Sequence, residues 1–128
     1  MYNKIMRPRQ NLINHLMSSF SDAFRGLSNT WAEERNFRIE VFIAILVIGI
    51  LLFFNFSYVD ISLAVMAIVL VLASEVVNTA FEDTLDRIEP GFDPVIGKIK
   101  DVSAGIVVLN VFGAFVIGAI ILVHHFLL

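Results

Sequence analysis

The chain has no cysteine, which excludes disulfides, thiolate nucleophiles and cysteine-ligated zinc. Charge is also scarce. Of 128 residues 16% are charged and 58% hydrophobic, a balance that excludes a water-soluble globule of this size and points to a small membrane protein. The length allows one domain at most, and neither a repeat nor a low-complexity segment is visible. The net charge of −3 says little, because in a membrane protein placement outweighs the sum; nucleic acid is not an expected partner. A cleavable signal peptide is not expected, since polar Asn11–His15 follows the basic stretch Lys4–Arg9 where an apolar run would have to stand. Nucleotide fingerprints of soluble proteins are missing too. Gly91–Lys98 superficially resembles a P-loop, but it has one residue too many between its glycines, and Ile99 stands where Ser or Thr should meet magnesium.

What is present is helical periodicity. After a basic arm broken by Pro8, the stretch from about residue 10 to 27 carries Leu12, Ile13, Leu16, Met17, Phe20, Phe24 and Leu27 in steps of one, three and four. That stripe predicts an amphipathic helix, lying in the membrane interface or packed on a bundle. Gly26–Thr30 is expected to interrupt it, and Thr30 and Glu33 have the spacing of a capping box opening the next helix. Three spans are expected at about 39–56, 61–81 and 102–123, the second long enough for about 30 Å of hydrocarbon. Trp31 and Phe37 are placed as interfacial anchors. A short turn, Asn55–Asp60, joins the first two spans, and the sequon-like Asn55-Phe56-Ser57 in it is read as chance. Asp83–Lys100 is expected to be a loop broken by Pro90, Gly91, Pro94 and Gly97. Gly105, Gly113, Ala114 and Gly118 are small residues suited to close helix packing in the third span. All nine bases lie before the first span or in the second loop, so the amino terminus is expected in the cytoplasm and the carboxyl terminus outside.

The polar residues that break the apolar pattern carry the chemistry. Glu75, Asn78 and Glu82 follow at steps of three and four, which puts them on one helix face. An ionisable group inside a span costs about 2.5–3.5 kcal/mol at mid-helix on insertion scales, and less near the end. Carboxylates gathered with Glu34 at comparable depth repel unless a cation lies between them. A magnesium ion fits, since it takes few protein carboxylates and keeps positions for phosphate oxygens. Phosphoryl transfer from ATP needs such a metal, a cation against phosphate and a base near the attacking hydroxyl. Glu34 and Glu82 are candidates for the metal, Lys100 for phosphate, and Glu75, deeper in the membrane, for a lipid hydroxyl. His15, His124 and His125 lack metal-type spacing relative to acids and are read as interfacial.

SEVVNTAFEDTLDRI followed by GKIKDVSAG resembles the signature of the prokaryotic diacylglycerol kinase family, which includes undecaprenol kinases. The likeness extends back through AFRGL and WAEERNFRIE and covers nearly the whole chain. It implies an all-α bacterial cytoplasmic-membrane enzyme with a surface helix and three spans, a homotrimer whose active sites form between protomers. Glu75 matches the family's general base, and Glu34 and Glu82 its magnesium–ATP ligands. Asn78 matches the motif asparagine beside the base, Lys100 and Asp101 the nucleotide-contacting pair, and Asp86 an acidic position near the nucleotide. His15 and Asp22 stand where the diacylglycerol-specific branch has an arginine and a tyrosine, and Asp93 replaces its loop histidine, which puts adenine contacts by Gly91–Asp93 in doubt. Asn110, inside the third span, belongs to no motif. ERNFRI and KDVSAG look more like the undecaprenol kinases of Gram-positive bacteria.

The expected activity is ATP-dependent phosphorylation of a membrane lipid alcohol, undecaprenol ahead of diacylglycerol. Two other classes remain open from the residues alone. A small proton-coupled transporter can also use one membrane glutamate, and a non-catalytic scaffold can use polar residues to lock helices together.

Overall fold

The computed structural model describes residues 12–127. The basic arm, with Lys4, Arg7 and Arg9, and the expected helix start at Gln10 lie outside the described residues. Four helices make up the fold: α1 Leu12–Glu33, α2 Arg35–Phe53, α3 Tyr58–Ile88 and α4 Pro94–Leu127. There is no strand among the described residues. The last three helices are long and apolar enough to cross a membrane, so the chain is an all-α membrane protein.

Helix α1 does not stop at Gly26. Thr30 is inside it, its hydroxyl donating to the Gly26 carbonyl at 3.2 Å, and the expected capping box at Thr30 and Glu33 is absent. The physical reason is the stripe itself: Leu27 and Trp31 continue the four-residue step, so the apolar face carries the helix past the glycine. The break falls on one residue, Glu34, which is extended at φ −96° and ψ 112°. Arg38, one turn into α2, reaches back across it and donates to the carbonyls of Trp31 at 2.7 Å and Ala32 at 3.0 Å. These are among the last carbonyls of α1, which have no partner within their own helix. Trp31 also meets Phe42 of α2, ring centroids 5.9 Å apart.

The α2–α3 turn is short because both ends are capped. Asn55 takes the left-handed φ of 55°, Phe56 N donates to Leu51 O and Asn55 N to Leu52 O, which is the Schellman arrangement. Ser57 then caps α3, accepting from Asp60 N at 3.1 Å and donating to Asp60 Oδ2 at 2.6 Å. The Asn55 and Ser57 of the apparent sequon are therefore turn chemistry. Leu51, Phe56, Ala64 and Ile121 form a small core at this end.

Between α3 and α4 the expected 18-residue loop shrinks to Glu89–Asp93. Pro94 opens α4 rather than breaking a helix: a proline in the first helical turn has no N–H to lose. Asp93 caps that turn, Oδ1 accepting from Val95 N at 2.7 Å and Ile96 N at 3.0 Å. Helix α3 packs on α4 and α2, and α1 touches both α2 and α3. The small residues that α3 buries are Ala64, Ala67 and Ser74, whereas a Cβ at Gly105, Gly113 or Gly118 would meet nothing within 4 Å. The α4 glycines thus make no close packing contact among the described residues.

Candidate functional site

At 31 residues, α3 is about 46 Å long, some 16 Å more than the hydrocarbon layer. The acids Glu75, Glu82, Asp83 and Asp86 all lie in its half toward Ile88. Glu82 lies about 10 Å nearer that end than Glu75, which gives the two acids different depths.

Glu75 is only 5% exposed. The carboxylates of Glu34, from the α1–α2 break, and of Glu82 lie within electrostatic reach of it. So does Glu40, a turn and a half into α2. Asn78 donates through Nδ2 to Glu82 Oε1 at 3.2 Å, which orients that carboxylate. Asn78 Oδ1 and Glu40 Oε2 are buried without a partner. Lys100 pairs with Asp86 across the α3–α4 loop, bringing a cation to the same end. Asp101 is exposed and joins no other described side chain. Two helices and one junction thus bring Glu34, Glu40, Glu75, Asn78 and Glu82 together.

Glu40 is the residue that sequence reasoning left without a role. Its signal was an acid six places beyond Glu34, at the mouth of an apolar run. Its proximity to Glu75 needed the tertiary contact of α2 with α3.

Two of the residues that depart from the diacylglycerol-specific branch have local partners. Asp22 is exposed and pairs with Arg25 at 2.5 Å. Asp93 is occupied as a helix cap, and Phe92 is 96% exposed.

Among the described residues no three acid or histidine side chains are arranged as a ready metal cage. The donor set present, two carboxylates on separate elements with an orphaned amide oxygen beside one of them, suits a hard cation that retains water and phosphate ligands. It does not suit one needing a complete protein shell. Magnesium brought with a nucleotide fits these residues.

A family profile described as prokaryotic diacylglycerol kinase matches residues 21–122. The chain is 32% identical to a diacylglycerol kinase of Haemophilus influenzae over 70% of its length and 75% of that protein. It is 27% identical to the diacylglycerol kinase of Escherichia coli K12, covering 81% and 85%. With an undecaprenol kinase of Bacillus subtilis it shares 30% identity over 90% of this chain and 94% of that one. The match spans α2, α3 and nearly all of α4, including every acid of the site, and the chain belongs to the prokaryotic diacylglycerol kinase family of membrane lipid kinases.

Proposed function

We propose that the protein transfers the γ-phosphate of ATP to the hydroxyl of undecaprenol, with diacylglycerol as the second candidate acceptor. The observation that carries this reading is the depth ordering on one helix face: Glu75 buried within the span, Glu82 about 10 Å nearer the water, and Glu34 joining them from the helix junction. A water-soluble nucleotide and a bilayer-bound alcohol approach from these two directions.

Glu75 accepts the proton of the lipid hydroxyl as its oxygen forms a bond to the γ-phosphorus and the bond to the β-phosphate oxygen of ADP breaks. Glu34 and Glu82 would hold magnesium, which would supply positive charge against the nucleotide's phosphates. Asn78 keeps Glu82 oriented for that task. Lys100 releases Asp86 for nucleotide phosphate, with Asp86 and Asp101 at the nucleotide's rim. Burial strengthens these electrostatic effects, because water is kept from the transferring group.

Undecaprenol is favoured by ERNFRI and KDVSAG, and by the near end-to-end similarity to the Bacillus subtilis protein named an undecaprenol kinase. The family also supports a homotrimer with sites shared between protomers. In keeping with it, each protomer has a small core and an α4 face whose glycines are uncovered. The distribution of bases supports a cytoplasmic amino terminus and α3–α4 loop in a bacterial cell membrane. Membership of a kinase family gives the transporter reading no support.

The test is a competition assay. Purified protein with labelled ATP and magnesium is given undecaprenol and diacylglycerol in the same micelles. Undecaprenyl phosphate as the main product is expected; phosphatidic acid as the main product reverses the acceptor order, and no lipid phosphate at all removes the kinase reading.

A further inference from the structure

Asn110 is a carboxamide in the middle of an apolar helix, half-buried, and no hydrogen bond joins its side chain to another described residue. Two cross-helix contacts fix its height relative to α3. Lys100 pairs with Asp86 at one end, and His124 Nδ1 lies 3.9 Å from Asp60 Oδ1 at the other. The helices are therefore antiparallel, and at about 1.5 Å per residue Asn110 and Glu75 both stand about 15–17 Å from the first pair and about 21–23 Å from the second. Ile121 and Ala64, which share the small core, obey the same register.

Its rotational position agrees. Ser103, Val107, Asn110, Ala114, Ile117 and Ile121 are all buried or half-buried and recur in steps of four and three. That is the stripe by which a helix packs on a neighbour, here α3. At Asn110's level α3 presents Ser74, whose hydroxyl is already bonded to the Val71 carbonyl at 2.7 Å, and Glu75.

An amide left unbonded away from water costs about 1–3 kcal/mol. Ser74 bonds a carbonyl of its own helix, but the Asn110 amide takes no such partner. A ligand with a hydroxyl at Glu75 supplies the partner. Resting on the lipid-kinase reading, we infer that Asn110 is a further substrate-contacting residue: its Nδ2–H donates to the oxygen of the acceptor alcohol whose proton Glu75 takes. Glu75 alone holds one end of the O–H group, and its position leaves the oxygen free to swing. A second bond to the oxygen fixes the direction of its attacking lone pair toward the phosphate. The class of ligand is an alcohol on a long apolar chain, since only that brings a hydroxyl to this depth.

The experiment compares wild type with Asn110→Ala and Asn110→Ser in detergent micelles, titrating undecaprenol and magnesium–ATP separately and recording thermal midpoints. For Asn110→Ala the KM for the lipid is expected to rise about tenfold, the worth of one hydrogen bond. The KM for magnesium–ATP should stay within about twofold and the thermal midpoint should not fall, while Asn110→Ser regains part of the lipid affinity. An unchanged lipid KM overturns the inference, as does an equal rise in both KM values, or a lowered midpoint with unchanged lipid KM, which marks a helix-locking amide. If wild type yields no lipid phosphate, the kinase reading fails with it; if wild type is active and Asn110→Ala behaves like it, only the Asn110 role fails.

Discussion

Glu75→Gln is expected to produce an enzyme that is at least as stable as the parent and nearly inactive. The substitution keeps the shape of a side chain that is 5% exposed and removes both its capacity to take a proton and its negative charge. A positioned general base contributes about 10²–10⁴-fold, or about 3–5 kcal/mol of barrier, and turnover should drop by that factor. Stability moves the other way. Glu34, Glu82 and Glu40 all act electrostatically on this position. At an effective dielectric near 20, each like-charge pair closer than about 15 Å is unfavourable by on the order of 1 kcal/mol. Hydration of the half-buried neighbours reduces that, so a rise of a few degrees in thermal midpoint is the expected scale. The assays are initial rates with saturating lipid and magnesium–ATP, and detergent-solubilised thermal unfolding of the same preparations. Turnover within a few-fold of wild type would remove Glu75 from the base role. A midpoint several degrees lower would mean that the carboxylate is held by favourable partners, contrary to the crowding of acids around it.

Glu34→Ala and Glu82→Ala should each raise the KM for magnesium–ATP at least about tenfold and leave lipid affinity unchanged; nucleotide affinity unaltered in both would refute their assignment to the metal. Ser57→Ala removes the α3 cap and the hydroxyl donor to Asp60, and should lower unfolding stability by about 1 kcal/mol with turnover intact, since it lies at the opposite end of α3 from the site. A variant as stable as wild type would show that the membrane-embedded bundle, and not this cap, sets the start of α3.

The acids of α3 were legible because a polar residue in an apolar helix is conspicuous, and because 3.6-residue periodicity fixes which of them share a face. Glu40 was visible and uninformative, since nothing in the chain's own spacing relates α2 to α3. Short-range punctuation misled twice. Gly26 and Thr30 lost to the continuing apolar stripe through Leu27 and Trp31, and Pro94 began a helix because Asp93 stood before it to cap the exposed amides.

By itself, the sequence determined the class of molecule and the face on which its chemistry lies, because hydropathy and helical period are local properties summed along the chain. Only the tertiary structure decided which acids meet and that Asn110 stands level with Glu75. Those depend on register between antiparallel helices, set by pairs such as Asp86 with Lys100 and Ala64 with Ile121, whose partners are separated by 14 residues in one case and 57 in the other and which no single helix encodes.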